Sequence, residues 1–270
     1  MKNVFFRLLM LTATIAISLL MVQCNKAEDL SATSATQTTS AYNYVSPIEK
    51  AMLIEEGTDG IPEIIECIYT CINGLPYEDL SESEIATLNY VREEELLAHD
   101  VYVAMYDLYH VPVFNNISNS EFIHSIAMQA IIEKYELPDP AANHVEGIFE
   151  DASIQELYDA LVAQGSASFQ DALIVGATVE DVDIWDLIGH IENDVDNVDL
   201  TYALNQLYRG SRNHIRAFTA HLTFQGMTYT PQFITQELYD EIINSGWEVG
   251  NGFCVCSAGC TDNSEILRTE

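Results

Sequence analysis

Residues 118–136 read SNSEFIHSIAMQAIIEKYE, and their interpretation depends on Glu121 and His124. These two residues are three positions apart, so a helix would place both side chains on one face. Four apolar or aromatic residues share that face: Ile117, Met128, Ile131 and Tyr135. A carboxylate buried beside an imidazole is costly unless a cation or a hydrogen-bond partner neutralises it. The stretch therefore predicts a helix whose Glu121–His124 pair faces the core, beside a metal ion or within a polar network.

Helical patterns continue on both sides of this stretch. They predict four long helices and one short helix between the second and the third: Ser83 to Tyr109 with Ser83 as cap, Ser118 or Ser120 to Glu136, Ser153 to Ala163, Ser168 to Asn193, and Val198 to Phe224. Short helices are also expected over Glu63 to Cys71 and Thr235 to Asn244. Strand-like alternation is absent at any length. The fold is thus predicted to be all-α, and the long connection 137–166 matches the crossover of a ferritin-like four-helix bundle.

Each predicted long helix carries a carboxylate or an imidazole at a position expected to face inward. The set of candidate metal ligands is Glu95, Glu121, His124, Glu180, Asp183 and His214. Four carboxylates and two histidines are the ligand types of a dinuclear carboxylate site, in which two helices supply Glu and two supply Glu-x-x-His. A second Glu-x-x-His would need a carboxylate at position 211, where this chain has Ser211. Asp183 is the candidate replacement; alternatively the site holds one metal ion or none.

Four residues are expected to support these ligands: Tyr102, Asp100, Arg212 and Arg216. Tyr102 lies one or two turns from Glu95 and is placed to hydrogen-bond a ligand. Arg212 and Arg216 are i, i+4 neighbours, and we expect them to pair with acids such as Asp100, Glu94 or Asp186 rather than bind an anion. The remaining histidines of the bundle, His99, His190 and His221, are expected to be surface or hydrogen-bonded core residues.

Several motifs resemble one known family. They are Arg92 to Tyr102 (REEELLAHDVY), Asn116-Ile117, Ser120-Glu121 with His124, Gly165-Ser166, Gly176-Ala177 with Glu180, Asp183-Ile184, and Gly210 to Phe218 (GSRNHIRAF). Over residues 84–243 the chain is similar to a ferritin-like family of uncharacterised bacterial and archaeal proteins, domain of unknown function 2202. The spacing of Glu95, Ala98 and Tyr102 also resembles the first ferritin-like helix of rubrerythrins. The resemblance implies a ferritin-like fold and a di-iron or other metal pair, but no reaction, because the family has none assigned.

The N-terminus has the pattern of an export signal. Lys2 and Arg7 precede a short apolar run, Leu8 to Val22, that ends at Cys24. Residues 21–24 resemble a bacterial lipobox, although Gln23 stands where a small residue is usual. We expect residues 1–23 to be a lipoprotein signal peptide, Cys24 to be acylated, and residues 24–45 to form a flexible Ser/Thr-rich tether. The protein would then be a lipoprotein of the cell envelope, or secreted if Cys24 carries no lipid.

The net charge of the chain limits the classes of molecule that it can bind. The sequence has 42 acidic residues against 10 basic ones, a formal net charge of −32. Such a surface repels nucleic acid and anionic lipid head groups and attracts cations. Nucleic-acid binding is therefore excluded, while metal ions are favoured as partners.

The five cysteines beyond Cys24 form two groups, one N-terminal and one near the C-terminus: Cys67 and Cys71, then Cys254, Cys256 and Cys260. Because exported proteins retain disulfides, we expect disulfides here, with a link from residues 67–71 to the tail as one arrangement. A cluster that binds a soft metal is the alternative.

These patterns divide the chain beyond the tether into an extension with a short helix (46–82), a ferritin-like bundle (83–245) and a Cys-containing tail (246–270). The function they favour is a lipid-anchored metalloprotein, with two iron ions, or manganese or zinc, acting on oxygen, peroxide or ferrous iron. The alternative is a non-enzymatic binding or scaffold protein of the cell envelope with a metal-free polar core.

Overall fold

The protein is described by a computed structural model over residues 61–248, and all regular secondary structure in this range is helical. In chain order the helices are α1 (Ile61–Gly74), α2 (Glu82–Tyr109), α3 (Pro112–Lys134), α4 (Ala152–Gly165), α5 (Phe169–Asn193), α6 (Val198–Phe224) and α7 (Gln236–Asn244). An isolated bridge joins Val145 to Ile148, and no strand is present between residues 61 and 248. The prediction of an all-α fold is confirmed for this range. None of its helices combines the length and the apolar character needed to cross a membrane.

The four long helices α2, α3, α5 and α6 surround the main core. Helix α2 packs along α3, α5 packs along α6, and contacts of α3 with α6 and of α2 with α5 join the two pairs. Fully buried apolar side chains from all four helices meet there, among them Leu88, Met128, Ile131, Leu187 and Leu204. Burying each such side chain contributes about 1.5–3 kcal/mol, which makes this core the main stabilising element. Helix α1 packs on α3, α4 on α5 and α2, and α7 on α6.

The start of α2 differs from the sequence prediction by one residue, and its cap by two. Ser81, rather than Ser83, caps the helix: its Oγ accepts from the backbone N–H of Glu84 at 3.2 Å. The Glu84 carboxylate in turn accepts from the backbone N–H of Ser81 at 2.8 Å. This reciprocal pair satisfies two backbone donors at once, which Ser83 cannot do because no Glu or Gln stands three residues after it.

Helix α3 begins six or more residues earlier than predicted. Pro112 is its first residue, a position where proline is favoured because the missing N–H has no helical partner there. His110 ends α2 in the left-handed conformation, with φ at 53°, so only two residues separate the helices. The sequence prediction treated Pro112 as a stop and missed its role as a start. As a result Glu121 lies in the middle of α3, held by turns on both sides.

The other helix boundaries lie close to the predicted ones. Ser168 caps α5, Thr235 caps α7, and α6 runs over the predicted range. The β-branched stretch 179–184 remains helical, because most of its side chains are buried against neighbouring helices. The predicted signal peptide (1–23), Cys24, the tether (24–45), Cys254, Cys256 and Cys260 lie outside the described residues. Among the described residues Cys67 and Cys71 form no disulfide, and the expected link from residues 67–71 to the tail stays a prediction.

Candidate metal centre

Three of the candidate ligands meet between α2 and α3. Nδ1 of His124 lies 2.7 Å from Oε2 of Glu121 and 3.2 Å from Oε2 of Glu95. All three side chains are buried, and their potential ligand atoms lie within 4.8 Å of one another. This first group therefore presents two carboxylates and one imidazole to a single point.

Glu121 also belongs to a second group, with Glu180 of α5 and His214 of α6. Nδ1 of His214 lies 2.8 Å from Oε1 of Glu121 and 3.3 Å from Oε2 of Glu180. These ligand atoms also lie within 4.8 Å of one another, and all three residues are buried. Glu121 is thus shared: one of its oxygens faces His124 and the other faces His214.

The two imidazole rings lie near each other on the α3–α6 side of the centre. Their centroids are 5.5 Å apart and their planes differ by 26°. Nε2 of His214 is 3.0 Å from the hydroxyl of Ser120, which fixes the orientation of that ring. Gly210 makes room for the other ring, because a β-carbon there would lie 2.6 Å from Nε2 of His124.

Asp183 lies beside the centre but in neither group. The Ser211 hydroxyl donates a hydrogen bond to its Oδ2, while Oδ1 has no partner among the described residues. Ser211 occupies the position where a second Glu-x-x-His would carry its carboxylate. The structure therefore pairs Asp183 of α5 with Ser211 of α6. The carboxylate at this place comes from α5, because α6 supplies only a hydroxyl.

Tyr102 supports Glu180, as expected from the sequence. Its hydroxyl donates to Oε1 of Glu180 and lies 3.3 Å from the carbonyl oxygen of Gly176. The ring is fully buried and packs on Phe218, at 5.3 Å between centroids. This contact leaves Oε2 of Glu180 free to face His214.

The electrostatics of the centre are those of buried acids and imidazoles that lie in contact. Burial raises the pKa of Glu95 well above its usual range and raises that of Glu180 to about 7. Burial alone would also raise the pKa of Glu121, but His214 and His124 hold it well below its ordinary value. Burial opposes the charging of His124, yet Glu95 and Glu121 raise its pKa to about 10. A cation that binds here would displace these protons.

Buried polar atoms without a hydrogen-bond partner are a second reason to expect a metal ion at this centre. Within residues 61–248 these atoms include Oε1 of Glu95, Oδ1 of Asp183 and Nδ1 of His214. The His214 nitrogen is close to two carboxylate oxygens but meets neither at a hydrogen-bonding angle. Buried polar atoms are rarely left unpaired, and cations coordinated in the two groups would satisfy the atoms of Glu95 and His214. Imidazole and carboxylate ligands suit iron, manganese and zinc.

Arg212, Arg216 and Asp100 are placed differently from the sequence expectation. Both arginines bind Glu248, at 2.8 Å from Nε of Arg212 and 2.9 Å from Nη2 of Arg216. The expected pairing with Asp100, Glu94 or Asp186 is therefore wrong. Asp100 instead accepts from the backbone N–H of Gly147 at 2.6 Å and lies 3.0 Å from Nε2 of His144.

Sequence reasoning also missed a polar cluster between α2 and α5. The Tyr90 hydroxyl contacts Oε1 of Glu94 at 3.3 Å and Oδ2 of Asp186 at 3.1 Å, and the Tyr90 ring lies 5.7 Å from that of His190. Glu94 is buried although it lies off the apolar stripe of α2, because α5 covers it. His190 is a hydrogen-bonded core residue, as expected, with Nδ1 at 2.7 Å from Asp194 and 3.1 Å from Thr87.

Comparisons with known proteins agree with the resemblance of the motifs. Residues 84–246 match the family described as an uncharacterized protein domain, DUF2202. The chain is 46% identical over 179 residues to the uncharacterized protein MJ0754 of Methanocaldococcus jannaschii, across 66% of this chain and 96% of that protein. The crystal structure of hypothetical protein MJ0754 from Methanococcus jannaschii DSM 2661 is similar with a TM-score of 0.63, across 64% of this chain and 99% of that one. The chain belongs to the DUF2202 family.

Proposed function

We propose that residues 83–245 form a ferritin-like four-helix bundle that binds two metal ions, most favourably iron, and acts on oxygen, peroxide or ferrous iron. Two features support the bundle: the pairing of α2 with α3 and of α5 with α6, and the long connection from α3 to α5 that contains α4. Four helices with inward carboxylates and histidines are the usual frame of a dinuclear carboxylate site. The two ligand groups at their centre support the metal pair.

The observation that carries the proposal is the position of Glu121. Its two carboxylate oxygens face two different histidines, at 2.7 Å for His124 and 2.8 Å for His214. A carboxylate in that position would be shared by the two ligand groups, because each of its oxygens would be available to a different ion. Glu95 and His124 would complete one coordination sphere, and Glu180 and His214 the other.

The residues around the centre define which chemistry it suits. When bound, a pair of redox-active ions supplies electrons and an open coordination position to oxygen or peroxide. Glu95, Glu121 and Glu180 are each at most 2% exposed, so the site excludes water and favours small reactants. Tyr102 fixes Glu180 and Ser211 fixes Asp183, each through a hydrogen bond from its hydroxyl.

The alternative function is that of a metal-free scaffold or binding protein of the cell envelope. One observation favours it: both histidines already lie at ion-pair distance from Glu121, so protonated imidazoles would neutralise its charge without a cation. The unpaired atoms of Glu95, Asp183 and His214 favour the metal centre instead.

Metal analysis separates the two functions. Protein purified without residues 1–23 is reconstituted with ferrous iron, manganese or zinc in separate samples, desalted and analysed for bound metal. The proposed metal centre predicts about two bound ions per chain. Fewer than about 0.2 ions per chain for all three metals would contradict it. Glu121→Ala should lose both ions, because it removes a ligand of each. Glu133→Gln, at an exposed position of the same helix, should keep them.

We also propose that the protein is anchored to the cell envelope through a lipid on Cys24. The support is the sequence alone: two basic residues, a short apolar run and a lipobox-like end at Cys24. Partition into a detergent phase tests it. The full-length protein expressed in a bacterial host should partition with detergent, and Cys24→Ser should remain in the aqueous phase. Equal partition of both proteins into water would contradict the anchor.

A further inference from the structure

One face of α5 carries metal-ligand side chains along more than half of its length. From the C-terminal end inward they are Asp194, His190, Asp186, Asp183 and Glu180. The spacings are four, four, three and three residues, which keep the side chains on one stripe of a helix. At a rise of about 1.5 Å per residue, the stripe spans about 21 Å. It begins at the end of α5 and finishes at the proposed metal centre.

The outer end of the stripe is accessible and the inner part is not. The Asp194 side chain is 41% exposed and lies 2.7 Å from Nδ1 of His190, whose own side chain is only 8% exposed. Two exposed acids, Glu192 and Asp196, flank Asp194. The C-terminus of a helix is the negative end of its dipole, so this mouth attracts cations.

Helix α2 covers the middle of the stripe with two further polar groups. The Tyr90 hydroxyl lies between the carboxylates of Glu94 and Asp186, at 3.3 Å and 3.1 Å. Asp186 and Glu94 come from different helices, so together they form a pair of acids across the α2–α5 contact. The charges of Asp183 and Glu95 both act on Glu94, so the pair lies near the first ligand group.

Two buried atoms of this cluster have no hydrogen-bond partner within residues 61–248: Nε2 of His190 and Oε2 of Glu94. Both residues are at least nine-tenths buried. The ion pairs that Lys and Arg form in this range are with Asp139, Asp199 and Glu248, so no Lys or Arg there pairs with Glu94 or Asp186. Unpaired ligand atoms in a closed contact, where two acids face each other and no Lys or Arg pairs with them, indicate a place that a cation occupies at times.

We propose that this stripe of α5, together with Glu94 of α2, is the route by which a divalent transition-metal cation reaches the buried centre. The proposal rests on the proposed function, since the route has no use without a metal centre. The ligand atoms of His190, Asp186 and Glu94 do not converge within the 4.8 Å that encloses each group of the centre. Looser spacing suits passage, because a transfer position must bind strongly enough to admit an ion and weakly enough to release it.

The rate of metal uptake tests the route. Metal-free protein is mixed with Co²⁺ in a stopped-flow instrument, and the absorption of the bound ion is followed. The test variant is Glu94→Gln with Asp186→Asn, which removes two carboxylate charges but keeps side-chain shape and a partner for Tyr90. The control is Glu93→Gln with Asp171→Asn, which removes the same charge from the same two helices but away from both the stripe and its mouth.

The route predicts that uptake slows about tenfold or more in the test variant and stays within twofold of wild type in the control, because only stripe carboxylates focus the cation inward. The final stoichiometry should remain two in every protein. Equal uptake rates in test variant and control overturn the route while leaving the metal centre in place. Wild-type protein that binds no cobalt overturns the centre and the route together. If circular dichroism shows that the test variant is unfolded, Asp194→Asn replaces it, and uptake at the wild-type rate then overturns the route.

Discussion

Gly210 of α6 lies so close to His124 of α3 that an added β-carbon would stand 2.6 Å from Nε2 of the imidazole. The two helices approach each other where the candidate ligands meet, and glycine is the residue that permits the ring to turn Nδ1 toward Glu121 and Glu95. A helix-interior glycine ordinarily costs about 1 kcal/mol relative to alanine. Glycine stands at position 210 despite this loss of stability, because a larger residue would displace His124, a proposed ligand.

Gly210→Ala should therefore weaken metal binding. The clash with His124 is expected to cost about 1–3 kcal/mol, which exceeds the gain in helix propensity. Gly189→Ala is the matched control, because no atom lies within 4 Å of its added β-carbon, and it should raise stability by about 0.5–1 kcal/mol. Urea unfolding and metal analysis measure both effects. Two metal ions and unchanged stability in Gly210→Ala would show that the close approach has no role.

Tyr102→Phe should loosen Glu180 without removing any proposed ligand. The lost hydroxyl leaves Oε1 of Glu180 without its described donor, in a fully buried environment. Loss of a partner that orients a ligand typically reduces metal affinity about 10- to 100-fold. Competition with a chelator measures this affinity, and Tyr106→Phe, one turn further along α2, is the control. Equal affinity in Tyr102→Phe and Tyr106→Phe would contradict the assignment of Glu180 as a ligand.

Glu248 should stabilise the protein only above mildly acidic pH. Hydrogen bonds from Arg212 are the main cause that lowers its pKa below 4.5, with Arg216 adding to the effect. A carboxyl group whose folded pKa is depressed contributes stability above its unfolded pKa and loses it as the pH falls through the folded value. Because the side chain is 29% exposed, we expect Glu248→Gln to cost about 1 kcal/mol at pH 7.

Unfolding measured from pH 7 down to pH 3 checks this expectation. The difference in free energy of unfolding between wild type and Glu248→Gln should shrink below about pH 4.5. Glu241→Gln, at an exposed position of α7, should show a smaller difference at pH 7. A difference for Glu248→Gln that does not depend on pH would mean that its contacts with the arginines are not electrostatic.

The sequence predicts the helices well where a local signal marks their ends. Ser168 and Thr235 each cap a helix through their own side chains, and both were predicted from the sequence to lie at the start of a helix. Pro112 misled the prediction, because proline ends one helix pattern and also suits the first turn of the next. The choice between these roles depends on how α2 and α3 pack, which local sequence does not contain.

The residues of the candidate site were likewise predictable where a local pattern marked them, and not where a distant residue determines their surroundings. Glu95, Glu121, His124, Glu180 and His214 were predicted from helical phase, and the structure brings these five together in two groups. Glu94 could not be assigned in this way, since the acid that faces it, Asp186, lies on the opposite helix. The partner of Arg212 and Arg216 was likewise unpredictable, because Glu248 is 36 and 32 residues away along the chain.

The most direct test of the metal centre is anomalous scattering from crystals of iron-reconstituted protein, recorded above and below the iron absorption edge. Two peaks in the anomalous difference map are predicted, one among Glu95, Glu121 and His124, and the other among Glu121, Glu180 and His214. Each peak should contact a different carboxylate oxygen of Glu121. A map without peaks, or with peaks that do not contact Glu121, would contradict the proposed function.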